Sequence, residues 1–308
     1  MKSIIVGFGR IANSIRHDAK ISKVFRYASH AQVLAEHPAF EWVGIVDPGD
    51  VAEAAAEWGK PVGTLEDFQE AEFAAITAPP AARLGIVSNL PALKAVMIEK
   101  PLGDEGEAFL KYCKGREISV SVNFWRRGVR YYRDLDLRKQ VGQVQAVFCT
   151  YGNGLMNNGS HLIDFLQMLF GDIECAAHSE VDTLESLGCS GPMDDYSVNF
   201  VLRAMEGMFP ILGAPIDFND YREVSVDIWG TKGRLFIGQE SLQVCKYPVV
   251  NHRGMENQKE VSATAFTTER VDVSDSIWNL YTSIAEGNPL SPGEGALKTE
   301  RILKGLIS

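Results

Sequence analysis

The chain of 308 residues lacks the features that mark membrane and nucleic-acid-binding proteins. No window approaches the roughly 18–20 uninterrupted apolar residues of a membrane span. The start, MKSIIVGFGR, is too short for a signal-peptide core and has no small-residue cleavage pattern after it. There is no basic run either, and 30 basic against 40 acidic residues give a formal net charge of −10. An acidic chain without a basic run binds the negatively charged phosphates of nucleic acids poorly. With no membrane span either, we expect neither nucleic acid nor a membrane as a partner.

Cysteines are also few and scattered. The five are separated widely, with no CxxC pair and no zinc-ligand spacing: Cys113, Cys149, Cys175, Cys189 and Cys245. An odd, dispersed set is typical of a reducing compartment in which the thiols are ordinary core residues, and a catalytic cysteine is the less favoured alternative. We therefore expect a soluble, cytoplasmic protein that needs no metal.

What is present fits two domains. The length and the 45% hydrophobic content are enough for a sizeable core. Up to residue 118, β-branched runs alternate with helical patterns, which predicts a doubly wound parallel sheet. From residue 119 onward, runs that alternate apolar with polar residues predict a mostly antiparallel sheet, with SVSVNF (119–124) as the first. We predict an α/β chain with a Rossmann domain at 1–118 and an α+β domain at 119–308.

The first candidate site follows the first strand. SIIVG (3–7) leads into GFGRIA, which fits the pattern G-x-G-x-x-G/A. In that motif a tight turn lets a pyrophosphate approach the backbone at a helix N-terminus. We expect residues 10–16 to begin that helix, although glycines also end strands for purely structural reasons. The dinucleotide contacts predicted here are Gly7, Gly9, Arg10, Ile11 and Ala12.

A second candidate lies at the end of EWVGIVDP (41–48). Asp47 is placed to accept hydrogen bonds from the ribose hydroxyls of NAD, and it would repel a 2′-phosphate. It lies 40 residues after Gly7, twice the usual ~20, and a segment at 17–30 accounts for part of the excess. The alternative is that Asp47 only caps the next helix, VAEAAAEW. We expect NAD as the cofactor, with NADP as the alternative.

The alternation continues through FAAITAPP (73–80) and AVMIEKPLG (95–103). Ligands bind such sheets at the carboxyl ends of the strands, so we expect these strand ends to share one crevice. A lysine that is followed by a rigid proline would be presented to that crevice, and an ordinary loop lysine is the alternative. The further cofactor contacts predicted from these strand ends are Thr77, Pro79, Glu99 and Lys100.

The stretch LMNNGSHLIDF (155–165) is the candidate catalytic segment. In a helix, Asn157, His161 and Asp164 have the spacing i, i+4 and i+7 and share one face. The apolar residues that fall on the other side are Leu162, Ile163, Leu166, Leu169 and Phe170. The histidine is either a satisfied structural side chain or a general acid–base, since its ordinary pKa of ~6.5 suits proton transfer near neutrality.

The order GFGRIA, IVDP, TAPP, EKP, NFWRRG and GSHLID resembles the glucose–fructose oxidoreductase / inositol dehydrogenase / MocA family over nearly the whole chain. The resemblance implies NAD(P)-dependent oxidation or reduction of a sugar or cyclitol hydroxyl. By position, Lys100 matches the lysine that contacts substrate and nicotinamide ribose. His161 matches the acid–base histidine, and Asp164 matches the carboxylate one turn further along.

Three departures separate this chain from that pattern. Asn157 stands where the family usually has aspartate, which keeps hydrogen bonding and loses the charge. The segment at 17–30 is extra, and no histidine follows TAPP. Either His161 with Lys100 suffices for proton transfer, or the chemistry has been lost. The rivals are therefore a non-catalytic NAD-binding regulator of the same fold and a reductase of a non-sugar carbonyl or imine.

Substrate contacts are expected from the second half of the chain. Trp125 and Tyr151 flank the His161 region in sequence, and Arg126 and Arg127 would meet a phosphate or carboxylate, as in a nucleotide sugar. The alternative for the two arginines is a solvated surface pair. A sheet with one open face often pairs with another copy, so we expect a homodimer or homotetramer formed through the C-terminal sheet.

Overall fold

The computed structural model describes residues 1–188, 191–217 and 223–308, and the chain divides into two compact units. The first unit comprises Met1–Arg130 and Val273–Glu300, and the second comprises Tyr131–Asp272 and Arg301–Ser308. Each unit takes up chain from both halves of the sequence, so the predicted single boundary after residue 118 is displaced.

The first unit is built on a six-stranded sheet. Its strands are β1 (Lys2–Val6), β2 (Glu41–Val46), β3 (Val62–Gly63), β4 (Phe73–Ile76), β5 (Ala95–Ile98) and β6 (Ser119–Val122). They lie in the order β3-β2-β1-β4-β5-β6, and every pairing is parallel. This confirms the predicted doubly wound sheet. The prediction for 119–124 is wrong, because Val122 pairs in parallel with Ile98 and closes the first sheet.

The second unit is built on a nine-stranded sheet and a separate two-stranded sheet. Its strands are β7 (Val144–Tyr151), β8 (Ile173–His178), β9 (Asp182–Gly188), β10 (Gly191–Ser197), β11 (Phe200–Ala204), β12 (Pro210–Pro215), β13 (Ser225–Gly230), β14 (Gly233–Gly238), β15 (Gln243–Asn251), β16 (Lys259–Val261) and β17 (Thr267–Arg270). The order is β16-β15-β14-β13-β7-β12-β11-β8, with β17 on β15, while β9 pairs with β10. Only the β7–β12 pairing among the described strands of this sheet is parallel, which confirms a mostly antiparallel sheet.

The helices are mostly short. They are α1 (His30–Glu36), α2 (Ala52–Ala56), α3 (Pro80–Ser88), α4 (Gly106–Gly115), α5 (Arg130–Arg133), α6 (Leu137–Val141), α7 (Ser160–Phe170), α8 (Ser276–Ala285) and α9 (Gly293–Ile307). The helix predicted at 160–170 is confirmed as α7, and the one predicted near 274–286 is α8. No helix within the described ranges is both long and apolar enough to cross a membrane.

Apolar side chains cover both faces of the first sheet. On one face, Val87 of α3 and Phe109 of α4 pack into a cluster with the sheet residues Ile4, Ile76 and Ile98. The core on the opposite face contains residues of the sheet, of α1 and of α8: Ile5, Ile45, Ala75, Leu34, Leu280 and Tyr281. Because α8 completes this layer, residues far along the sequence belong to the first unit.

The helix predicted to begin at residues 10–16 is wrong. These residues, all of them described, form turns and a 3-10 helix, Ser14–His17, and a second 3-10 helix follows at Ile21–Lys23. Asn13 Oδ1 accepts from Arg16 Nε at 3.0 Å and from Trp58 Nε1 at 2.9 Å. Asp18 Oδ1 accepts from the amide of Lys20 at 2.9 Å. Such side-chain bonds compete with a regular helix and give the chain compact turns instead.

The four cysteines that the structure describes are free thiols. Cys113 and Cys149 are buried and carry free thiols. Burial raises the pKa of the Cys113 thiol to about 11 and raises the pKa of Cys149 as well. Cys175 and Cys245 are half-buried and free, and Cys189 lies outside the described residues. Raised thiol pKa values leave little thiolate near neutrality, which argues against a nucleophilic role for Cys113 and Cys149.

Candidate functional site

The strand ends of the first sheet stand in one row. Val6 pairs with Val46 on one side and with Ile76 on the other, and Ile76 pairs with Ile98. Because these pairs are in register, the residues that follow them emerge at the same edge. The structure therefore brings together the strand-end residues predicted from the sequence: Gly7, Asp47, Thr77 and Lys100.

Gly7 is required by the turn after β1. Its φ is +87°, and a Cβ at this position would come within 2.8 Å of Thr77 Oγ1 and 3.0 Å of the Ala78 amide nitrogen. Thr77 Oγ1 also donates to the Gly7 carbonyl at 2.7 Å. Glycine alone accepts this backbone without strain and also admits the close approach of the neighbouring strand end. Thr77 thus holds the turn.

The rest of GFGRIA divides into an open part and a packed part. Gly9 and Arg10 are exposed, Ile11 is half-buried, and a Cβ on Gly9 would meet no described atom within 4 Å. Ala12 is fully buried, and its carbonyl accepts the Ala31 amide of α1 at 2.9 Å. The third small residue of the motif therefore permits close packing, as predicted, but against the start of α1.

Asp47 ties the first two strand ends together. Its Oδ2 accepts the Phe8 amide at 2.5 Å, and its Oδ1 accepts the Gly49 amide at 2.7 Å. The alternative that Asp47 caps the next helix is wrong, because the N-cap of α2 is Val51, with no side-chain cap among the described residues. Each carboxylate oxygen keeps a further acceptor site after these bonds. The ribose contact stays a prediction.

The loop after β5 is fixed just beyond Lys100. The Lys100–Pro101 peptide bond is cis, and Arg83 of α3 donates to the Pro101 carbonyl at 2.6 Å. Glu300 Oε1 accepts the amides of Leu102 and Gly103, the latter at 3.2 Å. Burial lowers the pKa of Arg83 to about 10. Lys100, half-buried, therefore projects from a braced loop.

A buried network beside Lys100 was missed by sequence reasoning. Glu99 Oε1 accepts from Asn123 Nδ2 at 2.7 Å and bonds to His30 Nε2 at 2.9 Å. His30 Nδ1 in turn lies 2.7 Å from the Tyr281 hydroxyl oxygen. Burial alone would raise the pKa of Glu99, but the bonds from His30 and Asn123 and the Lys100 charge lower it overall. The sequence signal that was available is Ser29 with Gln32, a capping box that fixes where α1 begins.

The predicted substrate residues are not all accessible. Arg126 is buried, with its guanidinium 4.5 Å from the Trp125 ring centroid, so a solvated arginine pair is wrong for this residue. Arg127 and Trp125 are half-buried. Tyr151 is 0% exposed, and its hydroxyl donates to the Val198 carbonyl at 2.7 Å. Tyr151 is therefore a core residue of the second unit, and a substrate contact is not supported.

A π-helical segment, Gly154–Gly159, precedes α7 in the second unit. The prediction that Asn157 shares a regular α-helix with His161 is therefore wrong. The backbone amide of Asn157 donates to Asp195 Oδ2 at 3.0 Å, and its side-chain Nδ2 donates to the Leu187 carbonyl at 3.0 Å. These bonds shape the turn, and single π turns are frequent at functional sites.

Asp195 is a second group that sequence reasoning missed. It is 1% exposed and lies in β10. Besides Asn157, it accepts the Met156 amide at 2.7 Å and Ser186 Oγ at 3.0 Å. A buried carboxylate with this many donors is a strong acceptor and fixes the turn before α7. No local sequence signal marks it, since its partners come from β9 and from the π-helical segment.

The catalytic candidates of α7 lie near its start. His161 is half-buried and Asp164 is 1% exposed. The predicted apolar side is confirmed by the burial of Leu162, Ile163, Leu166 and Phe170, while Leu169 is half-buried. Asp164 therefore sits inside the second unit at the base of the same helix that presents His161.

No known protein family matches the chain by sequence, and no curated protein matches it. Solved structures with the same fold include UDP-N-acetylglucosamine 3-dehydrogenase GnnA from Acidithiobacillus ferrooxidans, at 14% identity, TM-score 0.70, and coverage of 99% of this chain and 96% of that one. The 3-ketoreductase KijD10 from Actinomadura kijaniata, solved with NADP, matches at 16% identity and TM-score 0.69, with 99% and 96% covered.

The super-repressor mutant of Gal80p from Saccharomyces cerevisiae also matches, at 14% identity and TM-score 0.72, over 99% of this chain and 94% of that one. At these identities the likeness establishes the fold. It confirms the fold that the resemblance to the glucose–fructose oxidoreductase / inositol dehydrogenase / MocA family implies: a Rossmann unit with a larger, mostly antiparallel second unit.

The π-helical turn gives a prediction about stability. Gly154 has φ +83°, and a Cβ there would collide with the Asp195 carboxylate. We expect Gly154→Ala to lower the free energy of unfolding by at least about 2 kcal/mol more than Gly171→Ala, because it also breaks charge-assisted hydrogen bonds. Urea denaturation monitored by circular dichroism measures both.

Gly171, at the other end of α7, is the matched control. Its φ is +73°, but a Cβ there comes no closer than 4.0 Å to Glu206 Oε2. Both variants therefore carry a positive-φ alanine, and only Gly154→Ala adds a collision. Equal losses of stability would show that Asp195 does not hold this turn.

Proposed function

We propose that the chain is an NAD(P)-dependent oxidoreductase that acts on a hydroxyl or carbonyl group of a sugar or cyclitol, with nucleotide sugars among the candidates. The observation that carries this is the row of strand ends Gly7, Asp47, Thr77 and Lys100 at one edge of a parallel sheet. The neighbours GnnA and KijD10, a nucleotide-sugar dehydrogenase and a ketoreductase solved with NADP, support it.

The residues at this edge fit a dinucleotide. The tight Gly7 turn and the open side of Gly9 leave the backbone accessible to a pyrophosphate. Asp47, at the end of β2, has acceptor capacity left for ribose hydroxyls beyond its two backbone bonds. A carboxylate at this position repels a 2′-phosphate, so NAD is favoured over NADP.

The proposed chemistry divides between a few side chains. A nicotinamide cofactor would carry the hydride. His161 accepts the hydroxyl proton in the oxidation direction and returns it in the reduction. Lys100 orients a substrate oxygen and stabilises its developing negative charge. Asp164 either orients His161 from the same helix or binds the substrate.

Asn157 receives a different role from the one its position in the resemblance suggests. Its side-chain Nδ2 donates to the Leu187 carbonyl, and its backbone amide donates to Asp195 Oδ2. We therefore assign it to shaping the turn before His161.

That same observation favours a second candidate function, a non-catalytic dinucleotide-binding regulator. The family's usual aspartate is replaced by an asparagine whose amide already bonds the protein itself. Gal80p, described as a repressor, shares the fold. A regulator would bind the dinucleotide and turn over no substrate, whereas a carbonyl or imine reductase would show turnover with non-sugar substrates only.

We also propose that the outer face of the second sheet pairs with another copy of the chain. Phe148 is 47% exposed and Leu212 is 37% exposed, and the two are directly paired across β7 and β12. Asp227, the carboxylate beside Phe148, is engaged by Arg234 Nε at 2.7 Å. A contiguous apolar face with its charge internally paired is typical of an association surface.

Cofactor binding is tested at Gly9. Because a Cβ there meets no described atom, Gly9→Ala leaves the fold intact but places a methyl group where the pyrophosphate approaches. We expect the Kd for NADH to rise about tenfold or more with an unchanged melting temperature. Binding is measured by the quenching of tryptophan fluorescence.

Gly85→Ala is the control, since Gly85 lies on α3 and is equally open. It should bind NADH as the wild type does. Wild-type affinity in Gly9→Ala would exclude the turn as the pyrophosphate site.

Catalysis is tested at Lys100 and His161. We expect Lys100→Ala and His161→Ala each to lower turnover by about 10²-fold or more, because charge stabilisation or proton transfer is lost, while NAD binding is kept in His161→Ala and falls much less than turnover in Lys100→Ala. Purified protein is incubated with NAD or NADH and a panel of sugars, nucleotide sugars, cyclitols and imines, and absorbance is followed at the nicotinamide band.

Turnover that survives either substitution removes that residue from its role. Tight NADH binding by the wild type with no turnover across the panel would instead select the regulator.

Self-association is tested at Phe148. We expect Phe148→Lys to shift the wild-type oligomer toward the monomer, because a charge would be buried within the apolar pair that Phe148 forms with Leu212. Size-exclusion chromatography with light scattering measures the mass. Met255→Lys, which changes a residue 54% exposed outside this face, should leave the mass unchanged. An unaltered mass in Phe148→Lys, or a monomeric wild type, would contradict this interface.

A further inference from the structure

We propose that His30, Asn123 and Tyr281 are positioning residues that hold the Glu99 carboxylate as an acceptor for the nicotinamide half of the dinucleotide. The proposal rests on the proposed function and names the residues that position one of its predicted cofactor contacts. The network lies within the first unit, at the end of the strand that carries Lys100.

The bond between His30 and Glu99 has a defined direction. The pKa of Glu99 is lowered overall and an ionised carboxylate only accepts, so the proton of this bond lies on His30 Nε2, which donates to Glu99 Oε1 at 2.9 Å. Burial and the charge of Glu99 raise the pKa of Tyr281 well above its ordinary value, so its hydroxyl keeps its proton 2.7 Å from His30 Nδ1. With Asn123 Nδ2 on another side, the carboxylate receives donors from two residues.

Asn123 is suited to the role of a donor. Its Nδ2 bonds Glu99, whereas its Oδ1 is buried with no hydrogen-bond partner within the described part of the chain. An unsatisfied buried acceptor is costly. Asn123 therefore acts through its Nδ2 donor, which orients the Glu99 carboxylate.

The network is a fixed support and not a proton wire. Tyr281 is 0% exposed and packs against Phe40 and Phe73, at ring-centroid distances of 5.4 and 5.5 Å. A relay that ends in this core has no exit to water. The Glu99 side chain, by contrast, is 18% exposed, and its Oε2 takes no part in the bonds from His30 and Asn123.

The strand order assigns Glu99 to one half of the ligand. Asp47 follows β2, on one side of β1, while Glu99 follows β5, two strands away on the other side. Two strand spacings amount to about 10 Å. A dinucleotide with its pyrophosphate at the Gly7 turn and its adenosine ribose at Asp47 extends its other half toward β5. The ribose hydroxyls and carboxamide of that half are the donors that an ionised carboxylate recognises.

The network also gives the extra segment at 17–30 a role. His30, its last residue, is the first residue of α1, with Ser29 as N-cap. The compact turns that replace a long first helix deliver this imidazole beneath the end of β5.

Two ligands separate this role from general stabilisation. Kd values for NADH and for ADP, which lacks the nicotinamide half, are measured by calorimetry on the full chain and its variants. We expect Glu99→Gln to weaken NADH binding about 10- to 100-fold and Tyr281→Phe about 3- to 10-fold, with ADP binding unchanged in both. Asn123→Ala, which also removes an unsatisfied acceptor, should behave like Tyr281→Phe and is the second route if that variant does not fold.

Tyr27→Phe is the matched control. Tyr27 is also buried in the first unit and donates to a carboxylate, Glu36, at 2.9 Å, away from the network. It should change neither Kd. Variants that bind NADH with wild-type affinity, or that lose ADP and NADH affinity equally, overturn the inference and leave the proposed function standing. A wild type that binds ADP but neither NADH nor NADPH overturns both.

Discussion

The register of four parallel strands is the constraint on which the candidate site depends. Val46, Val6, Ile76 and Ile98 are paired across the sheet, so the chain leaves all four strands at one edge. Two side chains lock that edge, since Asp47 accepts the Phe8 amide and Thr77 donates to the Gly7 carbonyl. These bonds place the open Gly9 turn beside the Asp47 carboxylate, and the register sets Lys100 at the same edge, two strands further along.

The same edge explains why the first unit recruits distant chain. With compact turns after β1 in place of a long helix, one face of the sheet is covered by α1 and α8 together. Because α8 covers that face, Tyr281 lies beside His30, which in turn bonds Glu99. A packing requirement thereby produces a polar network next to Lys100.

The second unit shows the reverse dependence, in which a polar group determines a helix position. Asp195, buried in β10, accepts hydrogen bonds from two backbone amides of the π-helical segment before α7. Gly154 can have no side chain there because the carboxylate occupies the space. The point at which α7 begins, and with it the place of His161, follows from this long-range contact.

The sequence by itself determined the parallel sheet, its strand ends, the mostly antiparallel second sheet and the extent of α7. Each of these follows from the local pattern of apolar and polar residues and from residues that are adjacent along the chain. Tertiary structure alone decided the unit boundary, the burial of Tyr151 and Arg126, and the networks around Glu99 and Asp195. The Glu99 network, for example, joins residues from 24 positions apart, Glu99 with Asn123, to 251 positions apart, His30 with Tyr281, and no local pattern encodes such pairings.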